Sequence, residues 1–183
     1  DPALIASARV NRGTVAIFVS DHASARENIT AALAIHRQMN NTRGIAAALH
    51  NLGNVTSETG GLSEALEYYK ESNRMYTEAG DRGGMAATLN NCGVAEMRLG
   101  NYAAAREYFA ACLAINRQVG EKRGIARNLH NFGEAAYFED DLDTARQFLR
   151  DACAIYREIG DRRGLVLALI SLCDAARSGG KLD

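Results

Sequence analysis

Gly44-Ile45-Ala46-Ala47-Ala48-Leu49-His50-Asn51-Leu52-Gly53 returns 40 residues later as Gly84-Met85-Ala86-Ala87-Thr88-Leu89-Asn90-Asn91-Cys92-Gly93. It returns again as Gly124-Ile125-Ala126-Arg127-Asn128-Leu129-His130-Asn131-Phe132-Gly133, and a degraded copy opens at Gly164. The stretches between also match: Ala25, Ala65, Ala105 and Ala145 are equivalent, as are Ile35, Met75, Ile115 and Ile155. Asn11 and Gly13 stand where Asn51 and Gly53 stand, so one more unit precedes Gly44. A fixed period of this length marks a repeat architecture, with one supersecondary element per unit.

Each unit reads as two helices. Ile45, Leu49, Leu52 and Thr56 form one apolar stripe at helical spacing, and His50, Asn51, Asn54 and Ser57 form a polar one. Gly60-Gly61, Gly100-Asn101 and Asp140-Asp141 close this first helix, supplying residues that tolerate a left-handed turn or cap the next helix. The second helix carries Leu62, Ala65, Tyr69, Ser72 and Met75, and it stops at Gly80-Asp81, Gly120-Glu121 and Gly160-Asp161. Small residues at Gly53, Gly93 and Gly133, facing Ala65, Ala105 and Ala145, predict close helix approach. Neither helix can bury its stripe alone, so neighbouring units must stack around a shared core, with the first helices lining a concave inner face. Arg9 and Arg12, standing at the positions of Leu49 and Leu52, predict a polar outer cap on the first unit.

Composition agrees. The 183 residues are 47% hydrophobic and include one Pro and no Trp, as suits a globular, nearly all-helical chain. Twenty-one basic residues against 22 acidic leave a net charge of −1, which disfavours a dedicated polyanion binder, so no direct nucleic-acid binding is expected. No apolar run approaches the ~20 residues that span a bilayer, and Asp1-Pro2 does not open a signal peptide. A soluble, cytoplasmic protein with no membrane partner is expected. The absence of an initiator Met suggests a piece of something longer.

Leu52-Gly53, then Gly60 and Ala65 five residues apart, then Tyr69 and Ser72, together with Gly93, Gly100, Tyr102, Ala105 and Phe109, resemble the tetratricopeptide signature. The 40-residue unit, longer than the usual ~34, resembles the variety seen in Leu-Gly-Asn scaffold proteins, kinesin light chains and the tails of bacterial regulators and signalling ATPases. The resemblance covers essentially the whole chain. It implies an all-α fold, a right-handed α-solenoid of antiparallel helix pairs, forming a single domain over residues 1–183. The units run at about 3–41, 42–81, 82–121 and 122–161, with a partial one at 162–183. Thr77, Arg117 and Arg157 replace the Pro that usually closes the second helix, which lets that helix run longer.

Chemistry is hard to find. Cys92, Cys112, Cys153 and Cys173 have no metal-type spacing and occupy packing positions, so they read as buried reduced thiols. His50 and His130 are equivalent but two units apart, too far to share a metal; His22 and His36 read as solvated. The acidic run Glu139, Asp140, Asp141 and Asp143 lacks the spacing of a calcium loop and falls at an interhelix turn, where it reads as capping. Arg43, Arg82, Arg123 and Arg163 recur at the inter-unit turns. They could hold phosphate, although pairing with Asp81, Glu121 and Asp161 is the simpler reading. No nucleotide loop, nucleophile elbow or zinc-protease pair is present, so neither catalysis nor a cofactor or metal is expected.

What remains is the polar stripe of the first helices. Its candidate groove residues are His50, Asn51 and Asn54, then Asn90, Asn91, Met97 and Arg98, then Arg127, His130, Asn131, Glu134 and Tyr137, with Phe138 beside the last. Asn11, Asn51, Asn91 and Asn131 recur in register although a helix interior disfavours Asn by several tenths of a kcal/mol. A carboxamide offers a donor and an acceptor together, which one peptide unit of a ligand requires. The resemblance implies such a ladder on a ligand backbone; the alternative is that each Asn bonds the adjacent first helix and sets superhelical pitch. The functional expectation is a protein-interaction module binding a protein or peptide segment in the groove. The alternative is a sensing segment of a bacterial multidomain transcriptional regulator or signalling ATPase. Leu167 and Ile170, which replace Ala47 and His50, predict a homodimer through the apolar helix 162–178. Gly179-Gly180-Lys181-Leu182-Asp183 reads as the start of another helix.

Overall fold

The computed structural model describes residues 1–178, and among them every regular element is an α-helix. In chain order these are α1 (Pro2–Phe18), α2 (His22–Gln38), α3 (Thr42–Glu58), α4 (Leu62–Glu78), α5 (Arg82–Arg98), α6 (Tyr102–Val119), α7 (Lys122–Phe138), α8 (Leu142–Glu158) and α9 (Arg162–Ser178). The stretch Gly179–Asp183, read above as the opening of a further helix, lies outside the described residues. No helix among the described residues is long and apolar enough to cross a membrane.

The turns explain the spacing. A left-handed residue ends every helix turn from the first to the last: Ser20, Asn40, Gly60, Gly80, Gly100, Gly120, Asp140 and Gly160. The residue after it opens the next helix. Asp21, Asn41, Asp81, Asp141 and Asp161 each accept the backbone N–H three residues on, at 2.9–3.2 Å, and Glu121 does the same toward Gly124. Each cap satisfies a donor that the helix start would leave unpaired. Turns of two or three residues of this kind make consecutive helices run antiparallel as packed pairs.

The helices gather into two compact halves, Asp1–Ala95 and the part from Glu96 onward. In the first, Ile29 and Leu33 of α2 pack with Leu49, Leu52 and Val55 of α3, and Ile17, Tyr68 and Met75 close over them. In the second, Leu113, Leu129, Cys153 and Tyr156 form one cluster, and Leu149 forms another with Ala136, Ala145 and Ala175. Phe132 sits between Phe109 and Phe148, with ring centres 6.0 and 5.1 Å away.

Glycines at two positions of the first-type helices admit a neighbour's side chain, both of them in α3 and α7. A Cβ on Gly53 would enter the Tyr69 ring, and one on Gly133 would lie 2.6 Å from Cγ of Leu149, as the predicted close approach requires. A second set was not anticipated: His36 lies over Gly44, Tyr76 over Gly84, Asn116 over Gly124 and Tyr156 over Gly164. His36 is therefore not solvated. It is buried, 3.4 Å from Nδ2 of Asn41, and loss of water holds its pKa below the ordinary value.

Two other expectations are corrected. Cys92, Cys112 and Cys153 are buried, but Cys173 is exposed: it holds the position of Gly53, and among the described residues no second-type helix follows α9 to cover it. The outer face of α1 is not a polar cap, because Ile5, Val15 and Phe18, with Val19 just after the helix, are exposed beside Arg12.

Candidate functional site

In the first half, α3 and α5 meet through polar side chains. Asn91 Nδ2 donates to Asn54 Oδ1 at 3.0 Å and lies 2.8 Å from His50 Nε2. Tyr69 donates its hydroxyl to the same Asn54 oxygen at 3.0 Å, and Asn90 Nδ2 lies 3.3 Å from Asn91 Oδ1. Because Nε2 of His50 faces an amide donor, the ring is the neutral tautomer with its proton on Nδ1. Burial, edge-on against the Tyr69 ring at 5.9 Å, lowers its pKa to about 4.

The second half repeats the arrangement with new residues. His130 Nε2 lies 3.0 Å from Ser171 Oγ, and that hydroxyl donates to Glu134 Oε1 at 3.2 Å. Histidine, serine and carboxylate in contact suggest a hydrolytic relay, but the geometry is wrong for one. Ser171 and Glu134 both approach the same ring nitrogen, Nε2, the latter at 3.5 Å, whereas a relay needs the acid on the opposite nitrogen. Burial lowers the His130 pKa and the Glu134 carboxylate works against that.

Each cluster borders a cavity. In the first half an open hollow of about 220 Å³ is lined by Ile17, Asn54, Ser57, Glu58, Tyr69, Asn91 and Val94. In the second about 120 Å³ is enclosed by Glu134, Tyr137, Phe138, Leu149, Ser171 and Asp174. Side-chain contacts bring His50, Asn54, Asn90 and Asn91 together in one half and His130 and Glu134 in the other; of these, Asn54 and Asn91 line the first cavity and Glu134, with Tyr137, the second.

The remaining sequence-derived positions stand differently. Asn51 is half-buried and makes no side-chain hydrogen bond among the described residues, because the positions that serve Asn91 are here Val10 and Thr14, and the Thr14 hydroxyl is turned to Val10 O at 2.9 Å. Asn131 is buried, Met97 is half-buried, and Arg98 is exposed at the end of α5. Arg127 is exposed and within electrostatic reach of Tyr156, away from the cavity. Ser171 and Asp174 were missed, although they stand one repeat beyond Asn131 and Glu134 and the period pointed to them.

The charged turns are structural. Arg43 reaches Asp81 at 3.7 Å and Arg123 reaches Asp161 at 3.0 Å, each spanning one repeat. Glu139 accepts from Arg106 at 2.8 Å, Asp141 caps α8 and Asp143 accepts from Arg146 at 3.2 Å, so three of the four acids in that run are committed to capping and pairing.

Solved structures share this fold at low sequence identity. A Rap protein complexed with Competence and Sporulation Factor is 18% identical with a TM-score of 0.84, the match covering 99% of this chain and 51% of that one. A signal-transduction ATPase with a tetratricopeptide repeat sensor, from Pyrococcus horikoshii, is 14% identical with a TM-score of 0.87, covering 96% and 27%. Kinesin light chain nearly identical TPR-like repeats from Podosopora anserina are 16% identical with a TM-score of 0.80, covering 99% and 89%. The chain spans about half the length of the Rap structures it matches, 59% and 51%. No curated protein sequence matches it. The Tetratricopeptide repeat model matches residues 4–78 and 84–158, so the chain belongs to the tetratricopeptide repeat family, with its all-α solenoid fold of packed helix pairs.

Proposed function

We propose that the chain is an interaction module that receives an extended segment of a partner protein along the polar stripe of its first-type helices. The observation that carries this reading is the state of Asn54. Tyr69 and Asn91 both donate to its oxygen, and the amide so fixed borders an open cavity with no acceptor on its Nδ2 among the described residues. A pre-oriented amide donor beside a cavity suits a peptide carbonyl. His50, Asn51, Asn90 and Asn91 would flank the segment on one side of the chain's midpoint, and Arg127, His130, Asn131, Glu134 and Tyr137 on the other, with Met97 and Arg98 between them in sequence. A peptide array probed with the purified chain tests this: capture of a sequence-related set, lost on Asn54→Ala, supports it, and capture that is indifferent to Asn54 refutes it.

The fold shared with the Pyrococcus sensor and the Rap complex favours a second reading, in which the chain is the sensing segment of a bacterial regulator or signalling ATPase. A metabolite thermal-shift screen on the same sample separates the two, since a small-molecule hit without peptide hits favours sensing. Under either reading the exposed apolar face of α9 would join a second copy of the chain.

A further inference from the structure

The two cavities are lined by the same repeat positions. Asn54, Ser57, Glu58, Tyr69, Asn91 and Val94 become, two repeats on, Glu134, Tyr137, Phe138, Leu149, Ser171 and Asp174. The hollow is therefore built by the repeat backbone, and only its chemistry changes: carboxamides with one carboxylate in the first half, two carboxylates and two aromatic rings over an aliphatic floor in the second. We propose that the second cavity takes a cationic side chain of the partner segment, arginine in preference to lysine. This rests on the reading that the polar stripe receives such a segment.

Charge is the first argument. Among the described residues neither Glu134 nor Asp174 pairs with an Arg or Lys; Glu134 has His130 and Ser171 for neighbours, while Arg106 is held by Glu139 and Arg146 by Asp143 and Ala175 O. Both carboxylates line one small cavity, so a cation seated there would meet two acceptors of opposite charge. The aromatic wall selects the kind of cation. Phe138 is 55% exposed, with Tyr102 stacked 5.5 Å away at 8° and Tyr137 edge-on at 5.7 Å. A guanidinium stacks on such a ring and can fork toward both carboxylates, whereas an ammonium keeps its tight hydration and a metal ion would want more oxygens than the site offers. Leu149, fully buried, floors the cavity against the methylene stem of the incoming side chain, and about 120 Å³ admits a side-chain head but no folded element.

The test uses the whole chain, isotope-labelled, titrated with N-acetyl-arginine amide, its uncharged isostere N-acetyl-citrulline amide, and N-acetyl-lysine amide, with backbone amide shifts as the readout. The expected result is arginine-dependent shifts confined to 134–138 and 171–174, at least fivefold weaker for citrulline, weaker for lysine and reduced by salt. Glu134→Gln and Asp174→Asn should each erase the preference for arginine over citrulline, while Asn54→Ala leaves it intact. Equal binding of arginine and citrulline, shifts elsewhere, or no shifts overturns the inference. Because the compounds vary and the protein need not, a variant that fails to fold does not block the answer. If the array captures peptides in an Asn54-dependent way but without enrichment in arginine, the groove reading stands and this inference fails.

Discussion

Asn91 reaches back 37 positions to Asn54, its amide nitrogen 3.0 Å from the other's amide oxygen, and the same nitrogen serves His50 at 2.8 Å. Both of its donor hydrogens are thus spent on α3, so Asn91 itself sets the packing of one first-type helix on the next, and Asn54 is the amide left open. Asn91→Ala should leave His50 and Asn54 short of a donor and cost about 1–3 kcal/mol in a urea titration, with helicity unchanged. The double change of Asn91 and Asn131 to Ala should also weaken partner binding. A stability equal to the parent's would show that the tie is not formed in solution.

The period was legible because it lies in residues that backbone geometry demands. Gly60, Gly80, Gly100, Gly120 and Gly160 occupy left-handed turns and Asp81, Asp141 and Asp161 cap helices, so their identities follow from the fold. The site was legible only in part. Recurrence identified Asn51, Asn91 and Asn131 as equivalent, yet the Asn91 side chain bonds to α3 while that of Asn51 makes no hydrogen bond among the described residues, since the difference lies in the partners 37 and 41 residues earlier. The His36, Tyr76, Asn116 and Tyr156 positions escaped notice because their side chains differ in polarity; what they share is a flat shape that fits over a glycine.

Gly53 and Gly83 should respond in opposite ways to alanine. A methyl at Gly53 would enter the Tyr69 ring and pull its hydroxyl from Asn54, so Gly53→Ala should cost about 1–3 kcal/mol. At Gly83, in the first turn of α5, the nearest atom would be 3.6 Å away, an ordinary contact, and the backbone angle is one that alanine accepts. Gly83→Ala should therefore stabilise by about 0.4–1 kcal/mol through the unfolded chain. Gly93, also buried, should reject leucine at a cost of about 1–3 kcal/mol. Melting temperatures of the three variants give the check: equal shifts for Gly53→Ala and Gly83→Ala would refute the packing described.

His50 should make stability depend on pH. In the folded chain it stays neutral down to about pH 4, while an unfolded histidine takes a proton near 6.5. Between those values the unfolded state binds more protons, so stability is full above about pH 6.5 and declines as the pH falls toward 4. The loss at the lower limit is on the order of 3 kcal/mol. His130 adds a decline of the same sign, softened by Glu134. His50→Gln keeps an acceptor for Asn91 without the titration, and denaturant midpoints measured from pH 7.5 to 4 should flatten in this variant. An unchanged slope would mean that His50 is solvated.

The α9 surface should drive association of two chains. Val166, Leu167 and Ile170 are 55%, 49% and 54% exposed, and Leu167 and Ile170 hold positions that are Ala47 and His50 in an earlier repeat. The opposite side of the same helix is engaged in the core, where Ala168 and Leu165 pack with Tyr156, so the exposed residues cannot turn inward without giving up that contact. Adjacent large apolar side chains on one helix face form the kind of patch that associating proteins cover, and a two-fold pairing lets one patch cover an identical one. Light scattering should therefore find a mass that rises from one chain toward two with concentration. Val166→Lys with Ile170→Glu, both on the exposed side, should hold the protein at the mass of one chain without lowering its melting temperature. A parent protein that remains a single chain at millimolar concentration would remove α9 as a self-association surface and leave its apolar face to a different partner.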